Sequence, residues 1–208
     1  NLATFHPKTE DPADYSAAHR MEDFINNLFL DPIFKGRYPE NFMQWIGEMA
    51  PDVQAGDMDA IREPIDFLGI NYYFSQLVSR QNRGLFKLVT EPNLDPGWGI
   101  TEKGWGICPS ELTQLLLHLK HDYGNPPMFI TENGTALGEP TDESGFVNDQ
   151  GRINFLRAHF AAAHQALTEG ADLRGYYVWS LMDNFEWAEG FDVRFGLIRV
   201  DFDDPGRK

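Results

Sequence analysis

The sequence predicts an α/β domain built on a parallel β-sheet. Short apolar runs bounded by proline, glycine or asparagine alternate with longer segments whose apolar residues recur every three to four positions. The short runs are typical of buried strands and the longer segments of amphipathic helices. Their order is part strand, helix, strand, helix, strand, helix and strand, which is the pattern of βα units with parallel strands.

The first part of the chain predicts a strand followed by a helix. Leu2 to Phe5 has the composition of the tail of a strand that begins before residue 1. Asp11 is suited to cap a helix and Pro12 to open it, since proline is tolerated at the first helical position. The apolar spacing that follows predicts a helix to about Phe29, ended by Asp31-Pro32.

Further elements follow in order along the chain. Residues 41–49 predict a short helix, and residues 65–73 a strand with polar and aromatic residues at its carboxyl end. Residues 75–99 show little periodicity and predict a long loop. A helix that opens at Pro109 is predicted next, with four leucines on its buried face: Leu112, Leu115, Leu116 and Leu119.

Two more strands and one helix complete the pattern. The apolar run Met128–Ile130 predicts a buried strand that leads to Glu132, and Asn133 and Gly134 are interpreted as turn formers. A helix is predicted from about Ile153 to Thr168, ended by Gly170, and its buried face is expected to carry Ile153, Leu156, Phe160, Ala163 and Leu167. Residues 173–180 predict the last strand, with Trp179 near its end.

Composition and charge exclude several classes of protein. The 208 residues are 42% hydrophobic, which is enough to form the core of one domain. The formal net charge of −15 argues against nucleic acid and anionic membrane surfaces as partners, because phosphate is bound by Lys and Arg. No apolar run is long enough to span a bilayer. Cys108 is the single cysteine and no signal peptide is visible, which favours a cytoplasmic location.

The histidines do not predict a metal site. His118 and His121 lie close in sequence, as do His159 and His164, but none is spaced from a carboxylate as in zinc hydrolases. We interpret them as solvated histidines on helices, and no metal or cofactor is expected.

Two stretches carry a resemblance to a known family. Ile130–Gly134 reads Ile-Thr-Glu-Asn-Gly, and Trp179–Trp187 reads Trp-Ser-Leu-Met-Asp-Asn-Phe-Glu-Trp. Together, and in this order, they resemble the nucleophile and sugar-binding segments of the retaining β-glycosidases of glycoside hydrolase family 1, the β-glucosidase family. Residues 29–39, 66–73 and 101–107 resemble further segments of the same family.

The resemblance implies roles for seven residues. Glu132 corresponds to the catalytic nucleophile, and Tyr73 to the residue that orients it by donating its hydroxyl to the carboxylate. The substrate-binding positions fall on Asn71, Trp179, Glu186, Trp187 and Phe195. From the residues alone, the favoured interpretations are a surface glutamate at position 132 and core aromatics at positions 179 and 195, and a solvated surface glutamate at position 186 stays open.

The resemblance also implies a fold and a boundary. The family has a TIM (β/α)8 barrel, and this chain resembles its C-terminal half, about strands 5 to 8, as a single half-barrel domain over residues 1–208 cut at both ends. The family's Thr-x-Asn-Glu-Pro segment, which carries the acid/base carboxylate, is absent; Arg62-Glu63-Pro64 precedes a strand instead of ending one. We therefore expect the chain alone to be catalytically incomplete.

The implied substrate is a β-glucoside or oligosaccharide, hydrolysed at terminal β-D-glucosyl residues by double displacement. The expected partner is an N-terminal half-barrel chain, or a second copy of this chain by self-association. The alternative is a half-barrel fragment that serves as an assembly or sugar-binding module without catalysis. Whether the sugar is glucose, galactose or fucose stays open at this stage.

Overall fold

The computed structural model describes residues 1–84, 86–138 and 140–202, and in them a parallel sheet carries the fold. Four strands lie side by side in the order β1, β2, β4, β5, and all three pairings are parallel. A fifth strand, β3, runs antiparallel to β2. The bounds are β1 Leu2–Pro7, β2 Leu68–Arg80, β3 Leu88–Pro92, β4 Met128–Asn133 and β5 Leu173–Val178. The predicted parallel α/β class is confirmed.

Helices connect these strands. Those between β1 and β2 are α1 (Pro12–Glu22), a π-helical turn (Asp23–Asn27), α2 (Leu28–Lys35), α3 (Glu40–Ile46), a 3-10 turn (Gly47–Met49) and α4 (Asp57–Ile61). Further along the chain are α5 (Pro109–Asp122), α6 (Gln150–Thr168) and a 3-10 turn (Trp187–Glu189). The structure confirms three predicted helices: the short helix at residues 41–49, the helix that opens at Pro109, and the helix that ends at Thr168. It also contains α4, which was not predicted.

The predicted helix end at Asp31-Pro32 is wrong. The helical segment passes through Pro32 to Lys35 and ends at Gly36, whose φ of 66° lies in the left-handed region that favours glycine. Asp31 and Pro32 are both buried, and Asp31 accepts a hydrogen bond from the Tyr123 hydroxyl at 2.7 Å. Tertiary packing of this kind outweighs the local preference of proline to end a helix.

The predicted loop over residues 75–99 is also wrong in part. β2 extends through it to Arg80, and β3 pairs with that extension. The extension is held by distant packing, because Val78 is fully buried against Ala17 and Ala18 of α1. No local pattern in residues 75–80 shows this contact.

The core lies between the sheet and helices α5 and α6. Side chains of alternate strand residues face it, and the predicted leucine face of α5 is confirmed; this core includes Ile70, Tyr72, Leu112, Leu115, Leu116, Leu119, Met128 and Ile130. Because successive strand residues point to opposite faces, Asn71 and Tyr73 lie on the face away from the helices. The functional candidates lie on that face.

The predicted buried face of α6 needs correction. Ile153, Phe160 and Leu167 are each more than 40% exposed, whereas Phe155, His159 and small alanines face the core. The alanines let α6 approach α5 closely enough for Thr113 to donate a hydrogen bond to the Ala162 carbonyl at 2.9 Å. Phe160 packs instead on Tyr176 of β5, with the ring centroids 4.9 Å apart.

Candidate active site

A β-bulge turns Glu132 away from the core. Strict alternation along β4 would place Glu132 on the same face as Met128 and Ile130, which are fully buried against the helices. The pairing with β2 shifts register at this point, since Ile70 pairs with Ile130 but Asn71 with Glu132. The extra residue, Thr131, reverses the alternation, as bulges commonly do beside active sites. The carboxylate of Glu132 therefore shares a face with Tyr73.

Tyr73 and Glu132 are in direct contact. The Tyr73 hydroxyl donates a hydrogen bond to Glu132 Oε2 at 2.7 Å. Burial of the phenol, followed by its hydrogen bond to Glu132, raises the pKa of Tyr73 well above its ordinary value. The phenol is therefore a donor at every physiological pH, and it fixes one oxygen of the carboxylate.

Asn71 lies one alternation before Tyr73 on the same face of β2. Its Oδ1 accepts a hydrogen bond from the Thr131 hydroxyl at 2.6 Å. This bond to the bulge residue orients the amide, and it leaves the Asn71 NH2 group as a donor.

Trp179 and Glu186 form a second pair at the end of β5. The indole N–H of Trp179 donates to Glu186 Oε1 at 2.9 Å, and Asn184 Nδ2 donates to the same oxygen at 2.8 Å. Glu186 is only 7% exposed, so it is not a solvated surface residue. The charge of Glu186 also contributes to the raised pKa of Tyr73, which puts both carboxylates within electrostatic range of one hydroxyl.

Phe195 packs beside the first of these pairs. It is buried, and its ring centroid lies 6.2 Å from that of Tyr73 in an edge-on arrangement. Trp105 completes a cluster of three rings, with centroids 5.2 Å from Tyr73 and 6.3 Å from Phe195. No site role was predicted for Trp105; its signal in the sequence is the Gly-Trp pair inside the loop that resembles the family.

Trp187 is the one predicted site residue that the structure leaves apart. It is 85% exposed and lies in the tight turn from Glu186 to Gly190, where Glu186 N–H donates to the Gly190 carbonyl at 2.6 Å. An ion pair between Lys103 and Glu189 fastens this turn to the loop that carries Trp105.

Asn133 and Gly134 are not turn residues, contrary to the sequence interpretation. Asn133 ends β4, is fully buried, and donates to the Tyr72 carbonyl at 2.8 Å while accepting from the Tyr176 hydroxyl. Gly134 meets the backbone of the neighbouring segment so closely that a Cβ atom would lie 1.7 Å from the Trp179 carbonyl oxygen. These two residues join β2, β4 and β5 directly behind Glu132.

Histidines and metals give a separate result. In the described ranges, no group of three or more His, Cys, Asp or Glu side chains could hold a metal ion. His159 is not a solvated histidine as predicted: it is 1% exposed and stacks on Phe155, with ring centroids 3.9 Å apart. Burial lowers the pKa of His159 to about 4, so its ring is neutral near pH 7.

No helix in the part of the chain that the structure describes is long and apolar enough to cross a membrane.

Comparison with known proteins identifies the family. A sequence profile described as Glycosyl hydrolase family 1 matches residues 1–208. The chain belongs to glycosyl hydrolase family 1. Among curated members of the family, it is 41% identical to β-glucosidase A of Thermotoga maritima over 100% of this chain and 46% of that protein. It is 42% identical to a bifunctional β-D-glucosidase/β-D-fucosidase of Bifidobacterium breve over 93% of this chain and 46% of that protein.

Solved family 1 structures share the fold. The family 1 β-glucosidase of Thermotoga maritima superposes with a TM-score of 0.90 at 41% identity, over 98% of this chain and 45% of that one. A β-glucosidase of Exiguobacterium marinum superposes with a TM-score of 0.91 at 35% identity, over 100% of this chain and 47% of that one. The chain thus matches TIM-barrel enzymes of family 1 and spans about half the length of the relatives it matches.

Proposed function

We propose that this chain is the C-terminal half of a family 1 β-glucosidase, a single half-barrel domain over residues 1–208. Its four parallel strands amount to half of an eight-stranded barrel, and the order of its motifs resembles that of strands 5 to 8. Relatives named β-glucosidases support the activity, as does the complex of the Thermotoga maritima enzyme with deoxynojirimycin. The observation that carries the proposal is the hydrogen bond between Tyr73 and Glu132 at the carboxyl end of the strands.

In this proposal Glu132 attacks the anomeric carbon of a terminal β-D-glucosyl residue. The bond that forms joins Glu132 to the sugar while the bond to the leaving-group oxygen breaks, and water then releases the sugar. Tyr73 keeps the carboxylate in its attacking orientation, because its donated proton occupies only Oε2. The second oxygen is left for the attack.

The remaining site residues would bind the sugar. Among the described residues, Trp179 and Asn184 both donate to Oε1 of Glu186, which leaves Oε2 for a sugar hydroxyl, and charged acceptors make the stronger bonds. Trp179 offers a flat apolar face to the ring, and Asn71 offers its NH2 group. Phe195 would close the wall beside Tyr73, and Trp187 would donate its indole N–H to a sugar hydroxyl from its exposed turn.

Retaining glycosidases use a second carboxyl group about 5–5.5 Å from the nucleophile. We propose that this acid/base group belongs to the complementary half-barrel, since the sequence has no Asn-Glu-Pro segment. The chain would then bind sugar without efficient turnover until the other half completes the barrel.

A second candidate is an assembly or sugar-binding module without catalysis. Within the described residues β1 and β5 each pair on one side only, and apolar side chains near β5 are widely exposed: Tyr177, Leu181, Met182, Phe185 and Phe191. Exposed apolar surface beside an unpaired strand edge favours association, here with a second copy of the chain.

Hydrolysis of a chromogenic aryl β-glucoside separates the two. We expect no efficient turnover by the purified chain, and turnover when the complementary half is added. Glu132→Gln should lower kcat by about 10³-fold or more, because loss of the nucleophile in a hydrolase can cost up to ~10⁶. Glu40→Gln, at an exposed position on α3, is the control and should change nothing. A stable homodimer that is inactive with and without the added half would favour the second candidate.

A further inference from the structure

The most heavily bonded buried charge in the described residues outside the predicted site is Arg152, in the first turn of α6. Its guanidinium donates to four acceptors: Nε to the Thr135 carbonyl at 3.3 Å, Nη1 to Asp149 Oδ2 at 2.6 Å and the Gly196 carbonyl at 2.8 Å, and Nη2 to the Arg194 carbonyl at 3.1 Å. Only the planar fork of arginine can serve acceptors in so many directions at once.

The three backbone acceptors lie on two segments beside the site. Thr135 follows Glu132 by three residues, on the segment that leaves β4. Arg194 and Gly196 are the immediate neighbours of Phe195, whose ring contacts Tyr73. One buried guanidinium thus binds the backbone next to the proposed nucleophile and the backbone on both sides of an aromatic wall residue.

A second buried charge holds the same segment from its other side. Asp183 is 7% exposed and accepts from Arg194 Nη1 at 2.6 Å, from Gly196 N–H at 2.9 Å and from Val200 N–H at 3.1 Å. The backbones are in close contact here, because a Cβ on Gly196 would lie 2.2 Å from the Asp183 nitrogen. The segment around Phe195 therefore cannot shift unless Arg152 or Asp183 gives up a hydrogen bond.

We infer that Arg152 is a positioning residue, which sets the place of Phe195 relative to the end of β4 that carries Glu132. It acts through backbone carbonyls and touches neither the nucleophile nor, in the proposed site, the sugar. This inference rests on the proposed function for its kinetic consequences, whereas the clamp between the two segments stands on the contacts alone.

The test compares Arg152→Met and Arg152→Lys with Arg157→Met in the chain assembled with its complementary half. Arg157 is an exposed arginine on the same helix and is the matched control. Active sites are counted by trapping with a 2-fluoro glycoside, and kcat is expressed per trapped site. We expect Arg152→Met to lower kcat per site by about 10- to 100-fold, because misplacement by ~1 Å can cost ~10²-fold. Arg152→Lys should recover part of this loss, and Arg157→Met should equal wild type.

A merely structural role gives a different result: fewer trapped sites, but an unchanged kcat for each. That result overturns the inference. If Arg152→Met does not fold, two other measurements test the inference. One is kcat per site in Arg152→Lys. The other is rescue of Arg152→Ala by added guanidinium, since a cation that fills the vacated space should restore kcat per site. Absence of rescue, together with a wild-type kcat in the lysine variant, overturns the inference as well.

Hydrogen exchange separates this inference from the proposed function. Ser180 N–H bonds the Phe195 carbonyl at 3.2 Å and Leu197 N–H bonds the Ser180 carbonyl at 2.8 Å. In the folded lysine variant both amides should exchange faster, while amides in the middle of α6 should not. If wild-type assemblies show no glycosidase activity, the proposed function fails and this exchange result alone decides whether Arg152 clamps the two segments. Unchanged protection at Ser180 and Leu197 refutes the clamp.

Discussion

The two flanks of Glu132 are held by different kinds of contact. On the β5 side the contacts are backbone to backbone, through Gly134 and Gly196, and are reinforced by the buried charges of Arg152 and Asp183. On the β2 side the strands pair up to Asn71 and Glu132, and the contacts that reach the carboxylate and its surroundings beyond this pairing are made by side chains: the Tyr73 hydroxyl, the bond between Asn71 and Thr131, and the ring contacts of Trp105.

The two sides therefore constrain different features of Glu132, namely the position of its backbone and the orientation of its carboxylate. Backbone contacts leave almost no freedom, so the β5 side fixes where the strand end lies. A side-chain hydrogen bond can be removed without moving the backbone, so the β2 side fixes how the carboxylate is turned. Substitutions on the β5 side should therefore disturb folding and activity together, and those on the β2 side should disturb activity alone.

Two glycine substitutions test this contrast most strongly. In Gly134→Ala the new Cβ would lie 1.7 Å from the Trp179 carbonyl oxygen, a backbone atom that cannot yield without moving the strand. In Gly69→Ala it would lie 3.1 Å from the Thr131 Cγ2 methyl, a side-chain atom that can shift. We expect Gly134→Ala to lose about 3 kcal/mol or more of unfolding free energy, and Gly69→Ala about 1 kcal/mol or less, from the usual range for overpacking. Urea unfolding measures both, and equal losses would refute the contrast.

Tyr73→Phe removes the orienting bond on the β2 side without changing the shape of the ring. A hydrogen bond to a charged group is worth about 1.5–3 kcal/mol, so we expect kcat to fall about 10- to 100-fold. The melting temperature should change little, because the ring keeps its contacts with Trp105 and Phe195. Kinetics of the assembled enzyme and a thermal melt of the same sample check both parts. A large loss of stability with unchanged kcat would show that Tyr73 serves packing and not orientation.

The layer behind the sheet supports both flanks and should respond to acid. His159 has a pKa of about 4 in the folded chain, against about 6.5 when unfolded. Between these values the unfolded state binds more protons, so the stability contribution of the neutral ring is fully present above pH 6.5 and is lost as the pH falls towards 4. The loss should approach roughly 3 kcal/mol. Unfolding measured from pH 7 to pH 4, with His159→Phe as the comparison, should show a shallower slope in the variant.

The sequence indicated the residues on the β2 side better than those on the β5 side. Asn71 and Tyr73 stand at the end of an alternating strand, so their shared face follows from local pattern. Glu132 is a harder case, because alternation with Met128 and Ile130 predicts the core face, and only the pairing with β2 reveals the bulge at Thr131.

Arg152 shows why the clamp on the β5 side was not predicted. Arg152 precedes the apolar spacing used to start the α6 helix at Ile153, and three of its four acceptors come from two distant segments of the chain, around Thr135 and around Phe195. Three of these acceptors are backbone carbonyls, which every residue has, so no residue type marks them. The buried face of α6 was predicted wrongly for a related reason. Alanines pack closely, but they do not stand out in the sequence as an apolar stripe.

The smallest expected effect concerns the ion pair between Lys103 and Glu189, which joins the β2 side to the β5 side at the edge of the site. Lys103 Nζ bonds Glu189 and lies 5.5 Å from the centre of the Trp105 ring, so one ammonium links the ring cluster on the β2 side to the turn that carries Trp187. Partly exposed ion pairs of this kind contribute little to stability and are screened by salt. We expect Lys103→Met to raise KM for an aryl β-glucoside by no more than about 5-fold, with kcat unchanged, because a partly exposed pair contributes so little. The wild-type advantage should shrink in high salt, and Glu189→Gln should give the same KM without adding to the effect in the double variant. A change in kcat, or additive effects of the two substitutions, would mean that this ion pair does more than hold the turn that carries Trp187.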